Sequence, residues 1–227
     1  MKNLKTGAWD SDGRRKIYEK AQLSEKDHYK LKKLCKKYNV KFLTSVFSIK
    51  DIAFLKKLNN ECIKIPSHEV YNLNLIKEAI KNFKIVLVSA GAAKWSEILR
   101  IKNLKGYKKK IILMHCVSSY PLDVKNVNFP KFHKLKKINK AVGYSGHFSG
   151  IDDAILAVSL GASYIEKHFT IDKNLPGRDN KFAILPDSLK KISEYRDNYN
   201  SMNINKGKEV QKCEMDIFKN YRGRWSK

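Results

Sequence analysis

The sequence has few acidic residues, few cysteines and no long apolar run. Asp and Glu total 22 against 47 Lys and Arg, which gives a formal net charge of +25. No stretch approaches the roughly 18 apolar residues of a membrane helix, and the first residues are too polar for a secretory signal. The four cysteines lack the paired spacing of a zinc site or a disulfide framework. These absences predict a cytoplasmic protein with reduced thiols and no membrane partner.

The excess of positive charge has two interpretations. A strongly basic chain is typical of proteins that bind nucleic acid, and such binding would weaken steeply with salt. Here the lysines are spread over most predicted helices without interleaved aromatic residues, and no nucleic-acid-binding motif is present. We therefore favour a solvated surface that attracts small anions, and we predict no nucleic-acid partner.

Short apolar segments alternate with helical segments along the chain. Six apolar segments are predicted strands, and each ends near a small polar or ionisable residue: 40–45, 62–67, 85–89, 111–116, 142–145 and 163–168. A helix capped by Ser24 precedes them. Further predicted helices cover 49–58, 74–82, 96–103, 132–139, 151–160 and 186–199. Strands that are apolar almost throughout and alternate with helices indicate a parallel sheet covered on both faces.

Such a sheet belongs either to a doubly wound open fold or to a β/α barrel. The open fold usually carries a glycine-rich phosphate turn, which this sequence lacks. A barrel places the carboxyl ends of its strands around one mouth, where the polar strand ends would meet. We therefore predict an incomplete TIM-type β/α barrel that forms one domain over 1–227. A closed barrel of this type has eight strands, and six are visible.

Two predicted strands lead into histidines. His147 follows the strand over 142–145, His168 ends the strand over 163–168, and a predicted helix lies between them. A right-handed crossover of this kind makes the strands parallel and usually adjacent, so the two imidazoles should lie side by side. Such a pair can hold a divalent metal ion and leave positions open for substrate. Alternatively, each histidine only forms hydrogen bonds with its neighbours.

Four segments resemble the sialic acid synthase family. Residues 115–121 read His-Cys-Val-Ser-Ser-Tyr-Pro, 143–147 read Gly-Tyr-Ser-Gly-His, 161–170 read Gly-Ala-Ser-Tyr-Ile-Glu-Lys-His-Phe-Thr, and 175–179 read Leu-Pro-Gly-Arg-Asp. This family includes the N-acetylneuraminate, legionaminate and pseudaminate synthases, and its catalytic domain is a β/α barrel. The resemblance implies a metal-assisted condensation of phosphoenolpyruvate with an N-acetylmannosamine-like aldose, which releases phosphate and forms a 2-keto acid.

The resemblance also implies roles for single residues. It makes His147 and His168 the metal ligands, for manganese or alternatively magnesium or cobalt. Glu69, Tyr120 and Asp179 match the sugar-binding positions, and Glu69 joins the two histidines as a catalytic residue. The phosphoenolpyruvate-binding positions match Ser45, Lys64, Ser67, Ser89, Ser118 and Ser145. Without the resemblance, these serines are equally typical of turns and caps, and the lysine of a side chain that extends to solvent.

This chain departs from the family pattern in two ways. Gly146 stands where the pattern has an aspartate, which predicts the loss of an acidic contact beside His147. The family's first two strands and its C-terminal antifreeze-like domain have no counterpart, so the six strands match the family's third to eighth. We expect a partial barrel completed by a second copy, as a homodimer, or by a complementing N-terminal segment. The alternative function is a non-catalytic remnant or subunit that only binds ligand or a partner.

Overall fold

The structure is a computed structural model that describes residues 19–58 and 61–226. Five parallel strands form one sheet in chain order: β1 Cys62–Ile65, β2 Ile85–Ser89, β3 Ile111–Cys116, β4 Val142–Gly146 and β5 Tyr164–Lys167. The α-helices are α1 Glu25–Lys37, α2 Ile49–Lys57, α3 Leu73–Asn82, α4 Trp95–Lys102, α5 Tyr107–Lys110, α6 Phe129–Ile138, α7 Asp152–Ser159, α8 Pro186–Met202 and α9 Met215–Asn220. In these described ranges, no helix has the length and apolar character needed to cross a bilayer.

The predicted strand over 40–45 is wrong as a regular strand. Ser45 forms a single parallel bridge to Lys64 on β1. Two backbone hydrogen bonds support it, from the Val46 amide to the Lys64 carbonyl (2.9 Å) and from the Lys64 amide to the Thr44 carbonyl (3.1 Å). Within the described ranges this segment pairs with β1 alone, so it gains ladder hydrogen bonds on one side only. β1 and β5 are therefore the outermost regular strands.

The sheet is strongly curled. Lys64 on β1 forms an ion pair with Glu166 on β5, although these strands lie at opposite ends of the sheet. Neighbouring strands are about 4.8 Å apart, so five flat strands would separate these residues by about 19 Å, which exceeds the reach of the two side chains. The sheet therefore curves into part of a β/α barrel, as predicted.

The main apolar core lies between the convex face of the sheet and the helices. Its buried members come from the outward-facing strand positions and from α3, α4 and α6, and include Ile63, Ile65, Val86, Val88, Leu113, Val142, Leu75, Ile76, Ile98, Phe132 and Leu135. Alternate strand residues face the opposite, concave side. Cys116, Ser145 and Glu166 share one row across β3, β4 and β5 on that side. The outer layer supplies apolar packing, and the concave side carries polar groups.

Local signals set the helix ends. Ser24 caps α1 as predicted, because its hydroxyl accepts a hydrogen bond from the amide of Asp27, 3.2 Å away, and the aspartate reaches back to the cap. α6 begins at Phe129, three residues before the predicted start. Pro130 lies in its first turn, where a missing N–H leaves no helical hydrogen bond unmade.

His115 on β3 lies in the outer layer and is fully buried. Its Nε2 donates to the carbonyl of Val127, 2.7 Å away, and its Nδ1 has no hydrogen-bond partner among the described residues. Burial lowers the pKa of this imidazole to about 4, because the charged ring would lose its hydration. His115 is therefore neutral in the folded protein at neutral pH.

We expect acid to destabilise the protein through His115. The unfolded ring takes up a proton near pH 6.5 and the folded ring only near pH 4, so its contribution is complete above pH 6.5 and is lost as pH falls to 4. This loss amounts to about 3 kcal/mol of unfolding free energy. Urea unfolding across this range should show a weaker pH dependence in His115→Gln. His133→Gln, on the exposed side of α6, should retain the full dependence; equal slopes in the two variants would contradict the prediction.

Candidate active site

The two histidines lie side by side, as the strand–helix–strand pattern predicts. β4 and β5 are parallel neighbours, and the ring centroids of His147 and His168 are 5.4 Å apart. His147 is buried, and its Nδ1 donates to the carbonyl of Val117, 2.9 Å away. This bond leaves Nε2 with a lone pair in the neutral ring. His168 is 33% exposed, and its Nδ1 lies 3.7 Å from Oδ2 of Asp179. We call these two residues the histidine pair.

Two aromatic rings border the histidine pair. The ring centroid of Tyr120 lies 4.1 Å from that of His147 and 6.0 Å from that of His168. Phe182 lies 5.0 Å from His168 and is buried. Sequence reasoning missed Phe182, although it stands three residues after Asp179. The rings restrict the orientation of both imidazoles and leave Asp179 half-exposed on the open side.

A group of polar side chains meets at the carboxyl end of β3. The Sγ of Cys116 lies 3.5 Å from Oγ of Ser67 and 3.9 Å from Oγ of Ser118. Gly91 faces all three: a Cβ added there would lie 2.7 Å from Oγ of Ser67 and 2.9 Å from Sγ of Cys116, and would overlap Oγ of Ser118. The missing side chain leaves a small space ringed by these groups, which we call the hydroxyl cradle.

Ser89 and Ser145 lie on the same side of the sheet as the cradle. Ser89 ends β2 with 1% exposure, and its hydroxyl has no hydrogen-bond partner in the part of the chain that the structure describes. Buried polar groups are nearly always paired, so this hydroxyl is suited to a ligand. Ser145 on β4 is also buried and lies in register between Cys116 and Glu166.

Cys116 connects the cradle to the histidine pair. Burial alone raises the pKa of a thiol, but hydrogen bonds with His147 and Ser67 outweigh burial and lower the pKa of Cys116. Burial likewise opposes protonation of His147, and contacts with Cys116 and the Val117 carbonyl outweigh it and raise its pKa. For His168, burial dominates and lowers the pKa despite the nearby Asp179. Burial therefore favours the neutral form of the His168 ring.

Lys64 points to the concave side and does not extend outward to solvent. Its side chain is 13% exposed and pairs with Glu166, which is 37% exposed. Glu166 is therefore an internal ion-pair partner. Ser45 bridges to Lys64 through the backbone, and both residues line a cavity of about 280 Å³ with Leu87 and Met114. The interior of the half-barrel thus holds the ammonium group of Lys64 below the hydroxyl cradle.

Glu69 stands apart from the other candidate residues. It ends the short 3-10 helix Ser67–Glu69, and its carboxylate accepts a hydrogen bond from the side-chain amide of Asn72, 3.0 Å away. Within the described ranges, none of its hydrogen bonds or ion pairs reaches the histidine pair. The structure brings Glu69 near the cradle only through its neighbour Ser67.

A carboxylate from α7 lies beside Gly146, the position where the family pattern has an aspartate. A Cβ added to Gly146 would overlap Oδ2 of Asp153, so the carboxylate of Asp153 fills the space beside this glycine. Asp153 is fully buried and pairs with Lys167, the residue before His168. None of the described hydrogen bonds or ion pairs of Asp153 reaches the His147 imidazole, so the loss of an acidic contact there stays a prediction. The sequence shows no pattern that would assign this place to the second residue of α7.

The histidine pair fits a divalent metal ion as a partial ligand set. The Val117 carbonyl orients one imidazole, in the manner typical of metal-binding histidines. In the part of the chain that the structure describes, no group of three or more His, Cys, Asp and Glu residues is arranged to hold a metal ion. Two protein ligands leave the remaining coordination positions to substrate and water, as at a catalytic site.

Comparison with known families identifies the chain. A family model described as the NeuB family matches residues 2–208. The chain belongs to the NeuB family. This result confirms the resemblance carried by the four sequence motifs.

Several curated relatives of this NeuB-family chain are named as synthases of legionaminic or pseudaminic acid. It is 38% identical over 194 residues to the N,N'-diacetyllegionaminic acid synthase of Campylobacter jejuni subsp. jejuni serotype O:2, which covers 83% of this chain and 58% of the relative. It is 32% identical over 190 residues to a pseudaminic acid synthase of C. jejuni serotype O:23/36, which covers 82% of this chain and 55% of the relative. The NeuB-family chain thus spans little more than half the length of these relatives.

A solved structure supports the fold. The crystal structure of N-acetylneuraminic acid (sialic acid) synthetase from Leptospira borgpetersenii serovar Hardjo-bovis, in complex with citrate, superposes with a TM-score of 0.81 at 32% identity. The match covers 91% of this NeuB-family chain and 73% of that chain. The incomplete TIM-type barrel predicted from the sequence is therefore confirmed.

Proposed function

We propose that this chain supplies the phosphoenolpyruvate site and the metal-binding histidines of a sialic-acid-type synthase. In the proposed reaction, the methylene carbon of phosphoenolpyruvate bonds to the aldehyde carbon of an N-acetylmannosamine-like aldose. Water adds at the enol carbon and inorganic phosphate leaves, so the product is a nine-carbon 2-keto acid. The names of the curated relatives support this reaction class, since they are synthases of such acids.

The observation that carries the proposal is the hydroxyl cradle beside the histidine pair. The hydroxyls of Ser67 and Ser118, the unpaired hydroxyl of Ser89 and the ammonium of Lys64 suit a ligand that carries both phosphate and carboxylate. We include Ser45 and Ser145 in this set because they lie on the same side of the sheet. Cys116 touches both the cradle and His147, so a bound anion would lie next to the imidazoles.

The histidine pair would hold the metal ion, which we propose to be manganese, with magnesium or cobalt as alternatives. When bound, such an ion supplies Lewis-acid polarisation of the aldehyde. Tyr120 and Asp179 border the same mouth and are proposed to bind the aldose. Glu69 is proposed to contact the sugar from the turn after β1, as a catalytic residue.

The open side of the half-barrel suits contact with another chain or segment. β1 and β5 are the outermost strands of the described sheet, and the curated relatives are nearly twice as long as the matched part. We propose that a second copy of the chain or a complementing segment covers this side during catalysis. The same observation favours one alternative: a subunit that binds phosphoenolpyruvate without turning it over.

Gly91→Ala tests the cradle. The added methyl should turn the hydroxyls of Ser67 and Ser118 out of the cradle. We expect the Kd for phosphoenolpyruvate to rise at least about tenfold, because this corresponds to the loss of one hydrogen bond to a charged group. Rotation of two hydroxyls should keep the fold, as circular dichroism would show. Isothermal titration calorimetry measures the affinity. Absent binding in the wild type, or an unchanged Kd in Gly91→Ala, would reject the site.

A phosphate-release assay separates the two candidate functions. Phosphoenolpyruvate and N-acetylmannosamine, with and without Mn²⁺, should yield metal-dependent phosphate if the chain is a synthase. Binding of phosphoenolpyruvate without release, for this sugar and for its 6-deoxy diamino relatives, would favour the binding subunit.

A further inference from the structure

We propose that the buried ion pair between Lys167 and Asp153 positions the two imidazoles of the histidine pair. The inference rests on the metal site of the proposed function but concerns other residues. Lys167 ends β5 and directly precedes His168, and Asp153 lies in the first turn of α7. Consecutive strand residues face opposite sides of a sheet, so Lys167 lies on the helix side, behind the imidazole.

Lys167 ties the end of β5 to the segment that follows β4. Its Nζ donates to the carbonyl of Phe148, 2.6 Å away, and to the carboxylate oxygens of Asp153, 3.0 and 2.9 Å away. Phe148 directly follows His147 in the chain. One ammonium group thus holds the backbone beside the first imidazole to the residue before the second. The spacing of the two rings depends on this connection.

The carboxylate of Asp153 is fixed from two further directions. It accepts hydrogen bonds from the hydroxyl of Tyr144 on β4, 2.9 Å away, and from the amide of Ala154 on α7, 2.8 Å away. The network therefore joins β4, α7 and β5 at the level where both imidazoles leave the sheet. We call Tyr144, Asp153 and Lys167 the buried triad.

Stability alone does not account for the buried triad. The side chain of Lys167 is 4% exposed and that of Asp153 is 0% exposed. Removing two charges from water costs several kcal/mol each, and apolar residues of similar volume often stabilise a protein as well or better. The ion pair does supply directional contacts, which apolar packing lacks. Directional contacts can fix the spacing that two metal ligands require. For comparison, groups that orient a metal ligand by a direct hydrogen bond typically contribute 10- to 100-fold to metal affinity.

An apolar replacement separates positioning from stability. In the triple variant Tyr144→Phe, Asp153→Leu and Lys167→Met, no buried charge or hydroxyl of the triad stays unpaired. We expect a melting temperature near that of the wild type and a Kd for Mn²⁺ raised about tenfold or more. If the buried triad had a purely structural role, the triple variant should show wild-type Mn²⁺ affinity as well as wild-type stability. If the triple variant does not fold, Asp153→Asn keeps the shape of the site and should also weaken Mn²⁺ binding.

A second measurement needs no metal. In protein with ¹³C-labelled histidine, NOE cross-peaks between the rings of His147 and His168 should be visible in the wild type and should weaken in Lys167→Met. Lys84→Met, which breaks an exposed ion pair with Glu61, is the matched control and should leave them unchanged. Cross-peaks lost in Lys167→Met, in a protein whose wild type does not bind Mn²⁺, would support the positioning role and reject only the metal site. Wild-type cross-peaks in Lys167→Met, or wild-type Mn²⁺ affinity in a folded triple variant, would overturn the proposal.

Discussion

His147→Ala should abolish measurable Mn²⁺ binding and, in any assembly that is active, metal-dependent condensation. The protein offers the ion two imidazoles 5.4 Å apart, and the described residues hold no third ligand of the usual types in a metal-binding group. Removal of one imidazole halves this set. The loss should exceed the roughly 10- to 100-fold effect of removing an outer partner. His168→Ala should have the same effect, because the two rings have equivalent positions at the ends of neighbouring strands.

Electron paramagnetic resonance of free Mn²⁺ provides the measurement. His133→Ala is the matched control, since this histidine lies exposed on α6, away from the concave side, and should keep wild-type affinity. Unchanged Mn²⁺ affinity in either His147→Ala or His168→Ala would reject the assignment of that residue. Equal losses in all three variants would point to non-specific binding by surface histidines.

Lys64→Met should weaken phosphoenolpyruvate binding about 10- to 100-fold. A hydrogen bond to a charged group contributes about 1.5–3 kcal/mol, which corresponds to this range of Kd. The ammonium of Lys64 is 13% exposed and lies on the concave side, so screening by solvent is limited. Methionine keeps most of the volume of lysine, so the cavity beside Leu87 and Met114 should stay filled.

Glu166→Gln should change the Kd for phosphoenolpyruvate in the direction opposite to Lys64→Met. The carboxylate of Glu166 neutralises Lys64 and would repel an incoming anion. Its removal should therefore tighten phosphoenolpyruvate binding, in the direction opposite to Lys64→Met. If Lys64 serves only as the ion-pair partner, both variants should lower the melting temperature and neither should change the Kd. Calorimetric titration of the two variants side by side decides between these outcomes.

Much of the fold could be predicted from local patterns. Each of the five regular strands overlaps a predicted apolar segment, and β4 extends one residue past its segment. Strands buried on both faces have nearly continuous apolar sequences, which makes them visible in the sequence. The segment 40–45 has a similar composition but forms only one bridge, because pairing depends on the neighbours available in space. The early start of α6 was missed because a proline usually suggests that a helix starts after it. Pro130 instead lies inside the first turn of α6, where proline is tolerated.

The candidate site was predictable only in part. Topology places His147 and His168 together, because both follow adjacent parallel strands. Gly91 carries no pattern, since its contribution is the space that it leaves. Cys116 looks like an ordinary apolar thiol until the turns that carry Ser67 and Ser118 meet it. The contact between Ser67 and Cys116 joins residues 49 positions apart in the chain, and no periodicity records it.

The separation of the apolar outer layer from the polar concave side of the sheet has an evolutionary consequence. Side chains that line the concave side add little to the packing that keeps the chain folded, because that packing lies on the other side of the strands. Substitution of a serine or lysine there can change which ligand is bound without unfolding the protein. One half-barrel of this kind can therefore serve as a common starting point for enzymes with different preferences.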